Sequence, residues 1–152
     1  MSIYPYIANR IVFPIGDRIF GTHIVEFLNE LEERQWWAPE KIRIERDDKL
    51  NKLIKHCYEN VPYWRELFNK LKLKPSNIKT KDDLRKLPVL SKDDIRKNLD
   101  NMFAENFPKK RFIEKHSSGS TGEPLKYYDD KERFNWRLAL IVRYLFVCGS
   151  TS

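Results

Sequence analysis

Arg111-Phe112-Ile113-Glu114-Lys115-His116-Ser117-Ser118-Gly119-Ser120-Thr121-Gly122-Glu123-Pro124-Leu125-Lys126-Tyr127-Tyr128 is the stretch on which the fold turns. Arg111–His116 alternates well enough for a strand, and Leu125–Tyr128 is a second β-favouring run. Between them, residues 116–124 hold two of the chain's five glycines and four hydroxyl side chains. Glycines let backbone approach an anion without a Cβ clash, successive N–H groups form an anion nest, and rotatable hydroxyls donate to phosphate oxygens. A polyphosphate is the ligand that such a loop suits; a Ser/Gly-rich hairpin turn without a ligand is the alternative that composition alone leaves open.

Known loop types narrow the chemistry. Gly119 and Gly122 are three apart and a strand follows, whereas a Walker A loop needs GxxxxGK[ST] ahead of a helix. The stretch is also neither GxGxxG nor the GxSxG nucleophile elbow. His116 and Ser117 are strand neighbours pointing to opposite faces, and no orienting acid accompanies them, so a serine hydrolase is disfavoured. No catalytic residue and no metal ligand is assigned from sequence.

Outward from the hairpin, the chain reads as mostly α. On the N-terminal side, residues 1–21 mix aromatics with Pro5, Pro14, Gly16 and Gly21, punctuation that predicts a segment wrapping against the body. Thr22 is the expected cap of a helix whose Ile24, Phe27, Leu28 and Leu31 share one face, with Trp36 and Trp37 closing it. Pro39 suits a first helical turn, and Ile42, Leu50, Leu53, Ile54 and Cys57 extend a long helix that ends before Pro62. Trp64, Leu67, Phe68 and Leu71 repeat the helical spacing. Thr80-Lys81-Asp82-Asp83 and Ser91-Lys92-Asp93-Asp94 each place a hydroxyl three residues before an acid, as in a capping box, and predict two short helices. On the C-terminal side, Asp129 or Asp130 is expected to cap a final helix through Phe134, Leu138, Ile141, Val142 and Leu145, with Gly149 as its stop.

The predicted class is therefore α/β, mostly α: a helical region over 1–107, then strand, loop, strand and helix over 108–152, with the phosphate loop at 117–124. A chain of 152 residues with 41% hydrophobic and 34% charged residues has the makings of one core. Arg137 and Arg143 interrupt the last apolar stripe, so a membrane span is not expected. The first residues lack the pattern of a signal peptide, which predicts a cytoplasmic location. Cys57 and Cys148 form no CxxC pair and read as packing residues. The net charge of +7 is concentrated in residues 51–110, where 15 basic side chains face 8 acidic ones. Those lysines alternate with acids along helices, and no nucleic-acid motif accompanies them, so a solvated helical face is favoured over a nucleic-acid footprint.

Ser117-Ser118-Gly119-Ser120-Thr121-Gly122-Glu123-Pro124 resembles the phosphate-binding signature of adenylate-forming (AMP-binding) enzymes, commonly Thr/Ser-Ser-Gly-Thr/Ser-Thr-Gly-x-Pro. The segments Leu53–Arg65 and Leu87–Lys92 are similar to segments preceding that loop in the phenylacetate–CoA ligase family, in flavour its capsular polysaccharide biosynthesis branch. The resemblance runs from about Leu31 to Gly149. It implies ATP-dependent activation of a carboxylate to an acyl-adenylate, magnesium on the phosphates, and transfer to a thiol such as coenzyme A.

Carried over position by position, the resemblance makes Ser118, Gly119, Ser120, Thr121 and Gly122 the grip on the β- and γ-phosphates, with Ser117 beside them. Many relatives place Lys directly after the motif proline. Here Leu125 holds that place and Lys126 follows; the resemblance keeps Lys126 as the seventh candidate phosphate contact, although strand alternation turns it to the other face. The sequence carries no recognisable adenine-binding aromatic segment, ribose-binding Asp, hinge or C-terminal catalytic Lys. The reading is thus the N-terminal portion of an adenylation domain, inactive alone. The alternative is a non-catalytic anion-binding or protein-docking module, whose partner would be the remaining ligase half.

Overall fold

The computed structural model describes residues 7–118 and 124–149. The chain divides into two compact units, Met1–Trp37 with Asp129–Ser152, and Ala38–Tyr128.

In the first unit a π-helical segment, Ala8–Val12, leads into α1 (Phe13–Phe20), and α2 spans Ile24–Arg34. The expected punctuation at Pro14 and Gly16 does not prevent α1. Pro14 lies in the first turn, where its missing N–H would have had no intrahelical acceptor. Gly21 ends α1 in the left-handed region at φ 59°. Thr22 is not the cap of α2. Its hydroxyl donates to the Asp17 carboxylate, which also accepts the N–H groups of Ile24 at 3.0 Å and Val25 at 2.9 Å. An acid in the preceding helix thus supplies the acceptor that sequence spacing assigned to Thr22.

The last helix, α6, spans Lys131–Gly149, and the N–H of Arg133 donates to Asp130 Oδ1 at 2.7 Å, which identifies Asp130 as the expected cap. Against α2 it stacks Trp136 on Phe27, with ring centroids 4.2 Å apart. The Arg34 guanidinium lies over the rings of Trp37 and Trp136 and pairs with Glu30. Among the described residues of this unit, Leu28 and Ala139 are the buried apolar ones.

The second unit begins with α3 (Pro39–Asn60), which reverses at the buried Val61 into α4 (Pro62–Lys70). Ile54 on α3 and Phe68 on α4 meet Ile78, and Leu50, Tyr58, Trp64, Leu73 and Leu87 surround them. Fully burying an aromatic or branched aliphatic side chain contributes about 1.5–3 kcal/mol, so this cluster anchors the unit. α4 closes in a Schellman turn, with Lys72 N–H on Asn69 O and Leu73 N–H on Phe68 O. Lys72 takes the left-handed position at φ 54°, where glycine is usual.

Both capped segments form. The first is the 3₁₀ stretch Lys81–Lys86, with Asp83 accepting from the N–H groups of Lys79 and Thr80. The second is the helix α5 (Lys92–Asn98), closed by the reciprocal Ser91–Asp94 box. The hydrogen bond from Lys86, then those from the backbone, hold the Asp83 carboxyl well below the usual carboxylate range. β1 (Ile113–His116) and β2 (Lys126–Asp129) pair as a two-stranded antiparallel sheet. The sequence placed the first strand two residues earlier, but Lys109–Arg111 is a 3₁₀ turn following Pro108.

Candidate functional site: the hairpin neck

Two strands do not make a stable sheet unaided, so the hairpin needs support from outside itself. That support begins at the end of α3. The Arg65 guanidinium donates to the carbonyls of Tyr58 (3.2 Å) and Glu59 (2.6 Å), where a helix leaves carbonyls without intrahelical partners. It also pairs with Glu105 at 2.8 Å, and the Glu105 N–H donates to Asn60 O at 2.7 Å. This fastening fixes the segment that carries Phe103 and Phe107. Phe103 meets Phe112 at 5.1 Å and Tyr128 at 4.8 Å, and Phe107 meets Phe112 at 4.8 Å. The hairpin is therefore seated by aromatic side chains at its open end, Phe112 from the start of one strand and Tyr128 from the end of the other, rather than by further strands.

At the other end of the hairpin, the Ser117 N–H donates to Leu125 O at 2.9 Å, and the Leu125 N–H donates to the Ser117 hydroxyl at 2.8 Å. These two bonds close a neck. Ser117 is half-buried and Ser118 exposed beside it. Gly119, Ser120, Thr121 and Gly122 lie outside the described residues. Of the seven site residues expected from sequence, the structure thus describes Ser117, Ser118 and Lys126, and it brings Ser117 to the neck one residue from Lys126.

The Ser117–Leu125 pairing sets His116 across from Lys126 and Glu114 across from Tyr128, all on one face by strand alternation. The Glu114 carboxylate gathers the other three: Lys126 Nζ at 2.7 Å, His116 Nε2 at 3.1 Å and the Tyr128 hydroxyl at 3.3 Å. The Lys126 ammonium also lies 5.3 Å from the centre of the Tyr128 ring. The hydrogen bond to Glu114, then that to Tyr128, raises the Lys126 pKa above its ordinary range. Reciprocally, the Lys126 hydrogen bond outweighs slight desolvation and holds the Glu114 carboxyl below its usual value. His116 turns to Glu114 on one face while the Ser117 hydroxyl accepts from the Leu125 N–H on the other, so the two do not form a nucleophile–base pair. Glu114 and Tyr128 were absent from the sequence-derived site; the i, i+2 spacing of Glu114 with His116 and of Lys126 with Tyr128 was the available signal.

A pocket of about 360 Å³ in the same unit, which shares Tyr128 with this cluster, is lined mainly by apolar and aromatic side chains, among them Trp64, Met102, Phe103 and Phe112, with His56 and Cys57 at its wall. Burial raises the Cys57 thiol pKa above its ordinary value. None of Ser117, Ser118 and Lys126 lines this pocket. Among the described residues no cluster of three or more His, Cys, Asp or Glu could hold a metal ion, and no helix is long and apolar enough to cross a membrane.

No protein-family model matches the chain. It is similar to curated proteins named phenylacetate–coenzyme A ligase. The Aromatoleum evansii protein is 34% identical over 97 residues, covering 62% of this chain and 22% of the relative. That of Escherichia coli (strain K12) is 34% identical over 106 residues, 68% of this chain and 24% of the relative. The Thermus thermophilus protein is 32% identical over 113 residues, 73% and 25% respectively. The chain spans about a quarter of the length of these relatives.

Proposed function

We propose that this chain is the phosphate-gripping front portion of an ATP-dependent, adenylate-forming carboxylate ligase of the phenylacetate–CoA ligase type, acting in the cytoplasm. The observation that carries the reading is the closed Ser117–Leu125 neck in a chain whose sequence runs Ser-Ser-Gly-Ser-Thr-Gly-Glu-Pro from Ser117 and is similar to those ligases over most of its own length. In this reading 1–107 and 108–152 belong to one adenylation domain.

The substrates are ATP and a carboxylic acid. A carboxylate oxygen attacks the α-phosphorus, the bond from that phosphorus to the bridging oxygen breaks, and pyrophosphate leaves. Ser118, Gly119, Ser120, Thr121 and Gly122, with Ser117, hold the β- and γ-phosphates and stabilise charge developing on the departing pyrophosphate. The hydroxyl protons of Ser117 and Ser118 can be donated to phosphate oxygens. Magnesium prefers phosphate and water oxygens to an all-protein cage and would neutralise phosphate charge, so it would be recruited with the nucleotide. Coenzyme A is the thiol that would accept the acyl group.

Adenine and ribose recognition and the catalytic lysine are not among the motifs of these 152 residues, so the chain alone is expected to bind polyphosphate without completing adenylation. ATP–pyrophosphate exchange with a panel of carboxylic acids tests this, and clear turnover by the purified chain would refute the claim of inactivity. A Gly119→Asp/Gly122→Asp pair is expected to abolish ATP binding; unchanged affinity would move the site elsewhere.

One observation favours a second reading, a docking module. Leu140, Ile141, Tyr144 and Leu145 on α6 are exposed, and the pairs Leu140–Tyr144 and Ile141–Leu145 have the spacing of one helix face. The partner in this reading is the remaining portion of such a ligase. Co-purification with the separately expressed remainder of the Escherichia coli relative, lost in Leu140→Glu/Tyr144→Glu, is the expected result; no complex with the unsubstituted chain would refute it.

A further inference from the structure

The expected alternation of lysines with acids holds along α3 and fails from the end of α4 onward. On α3, Lys49 pairs with Glu45, Lys52 with Asp48 and Lys55 with Glu59, each across one helical turn. From Leu67 to Lys81, in contrast, the chain carries five lysines and no acid. Lys70, Lys72, Lys74, Lys79 and Lys81 are all exposed, and none of them forms an ion pair among the described residues. Of the acids that follow, Asp83 is taken by Lys86 and by the N–H groups of Lys79 and Thr80, which leaves Asp82 at the margin. Arg85, also exposed, adds a further positive charge.

The segment that carries these lysines is pinned to the core. After the Schellman turn, the Lys74 N–H donates to Asn77 Oδ1 at 2.7 Å, and Asn51 on α3 donates to Lys79 O at 3.2 Å. Ile78, in their midst, is fully buried against Ile54 and Phe68. The backbone is thus held in place while the ammonium groups stay in water, repelling one another with little carboxylate to offset them. Leu71 and Leu84 are exposed apolar side chains within the same stretch, and Lys81 and Leu84, three apart in the 3₁₀ turns, stand on one ridge.

We propose that residues 70–85 form a docking surface for an anionic lipid bilayer, on which the lysines meet negatively charged headgroups while Leu71 and Leu84 enter the interface. Lysines beside exposed leucines fit a headgroup layer, which offers many mobile negative charges above an apolar interior. A single-stranded nucleic acid fits less well, because residues 69–85 hold no aromatic side chain on which a base could stack. Attachment of this kind is peripheral and needs no spanning helix. The surface uses no residue of the hairpin and is independent of the ligase reading.

Sedimentation of the full 152-residue chain with lipid vesicles tests the proposal. Binding is expected to phosphatidylcholine vesicles holding about 30% phosphatidylserine at about 0.1 M salt, with a steep fall at about 0.5 M and none to phosphatidylcholine alone. Each lysine near the surface contributes about fivefold in partitioning, so Lys70→Gln/Lys74→Gln/Lys79→Gln should weaken binding about a hundredfold. Lys49→Gln/Lys52→Gln/Lys55→Gln removes the same net charge from the paired lysines of α3 and should weaken it less than about fivefold. Circular dichroism and thermal unfolding verify that both variants keep the fold. Equal losses in the two would overturn the proposal, since net charge and not this surface would then be acting; absence of binding to the anionic vesicles overturns it outright. Leu71→Ser/Leu84→Ser separates lipid from other polyanions: vesicle binding should fall severalfold while retention on polyuridylate stays unchanged. Vesicle binding that survives the loss of both leucines, or complete displacement of the parent chain from vesicles by polyuridylate of equal charge, would overturn the lipid assignment.

Discussion

The α3–α4 body and the β1–β2 hairpin belong to the same compact unit but are held by different physics. In the body, Phe68 and Ile78 are fully buried and Ile54 nearly so, and the chain reverses over a buried Val61. In the hairpin, the β1 residues are exposed or half-buried, and the strands are held by a ring cluster at one end and two neck hydrogen bonds at the other. Burial makes the body insensitive to surface charge. The hairpin, by contrast, can be adjusted by single polar substitutions.

The comparison breaks most sharply at Phe68. Phe68→Ala should cost about 3–5 kcal/mol in urea unfolding, because it leaves a cavity that Ile54 and Ile78 only partly fill. Phe103→Ala should instead act locally, removing ring contacts that contribute about 0.5–1.5 kcal/mol each beyond area burial. Amide exchange in β1 and β2 should accelerate while that of α3 and α4 stays slow; equal acceleration throughout would mean that hairpin and body open together. Asp17→Ala, in the other unit, should cost about 1 kcal/mol by removing the acceptor at the start of α2.

Asp17 also predicts a pH dependence. Partial burial pushes its pKa up, but the hydrogen bonds from Thr22, Val25 and Ile24 outweigh that and leave it below the ordinary aspartate value. Its contribution is therefore complete above the unfolded-state value, about 3.9, and is lost as pH falls through the lower folded value. A helical signal that falls with acid in the parent chain and less so in Asp17→Ala is the expected outcome. The smallest effect sharpens the comparison from the body's side: Lys72→Gly should stabilise it by up to about 1 kcal/mol, since glycine takes the left-handed turn without the Cβ penalty. Thermal unfolding measures it, and a fall in midpoint would show that the Lys72 side chain contributes more than its backbone geometry costs.

Legibility in the sequence followed the range of the interaction. Pro39 at a helix start, the helix end before Pro62, the Ser91–Asp94 box and a cap at Asp129 or Asp130 were readable because each acts within one turn of its own residue. The first strand was misplaced by two residues because the turn after Pro108 competes with β propensity at Arg111. Thr22 was misassigned because the acceptor for α2 comes from Asp17, seven residues before Ile24, and no local spacing rule reaches that far. Gly21 and Lys72 take the same left-handed backbone, yet only the glycine advertises it.

By itself, the sequence determined the helical periodicities, the hydroxyl- and glycine-rich run from Ser117 to Pro124 and the resemblance that run carries, because all three are properties of neighbouring residues. Tertiary structure alone decided that Arg65 would fasten the end of α3 to Glu105, that Phe103 would seat the hairpin, and that Glu114 would take Lys126. Each of these depends on the chain's path through space, and the charge and shape of a side chain do not name the partner that folding brings to it.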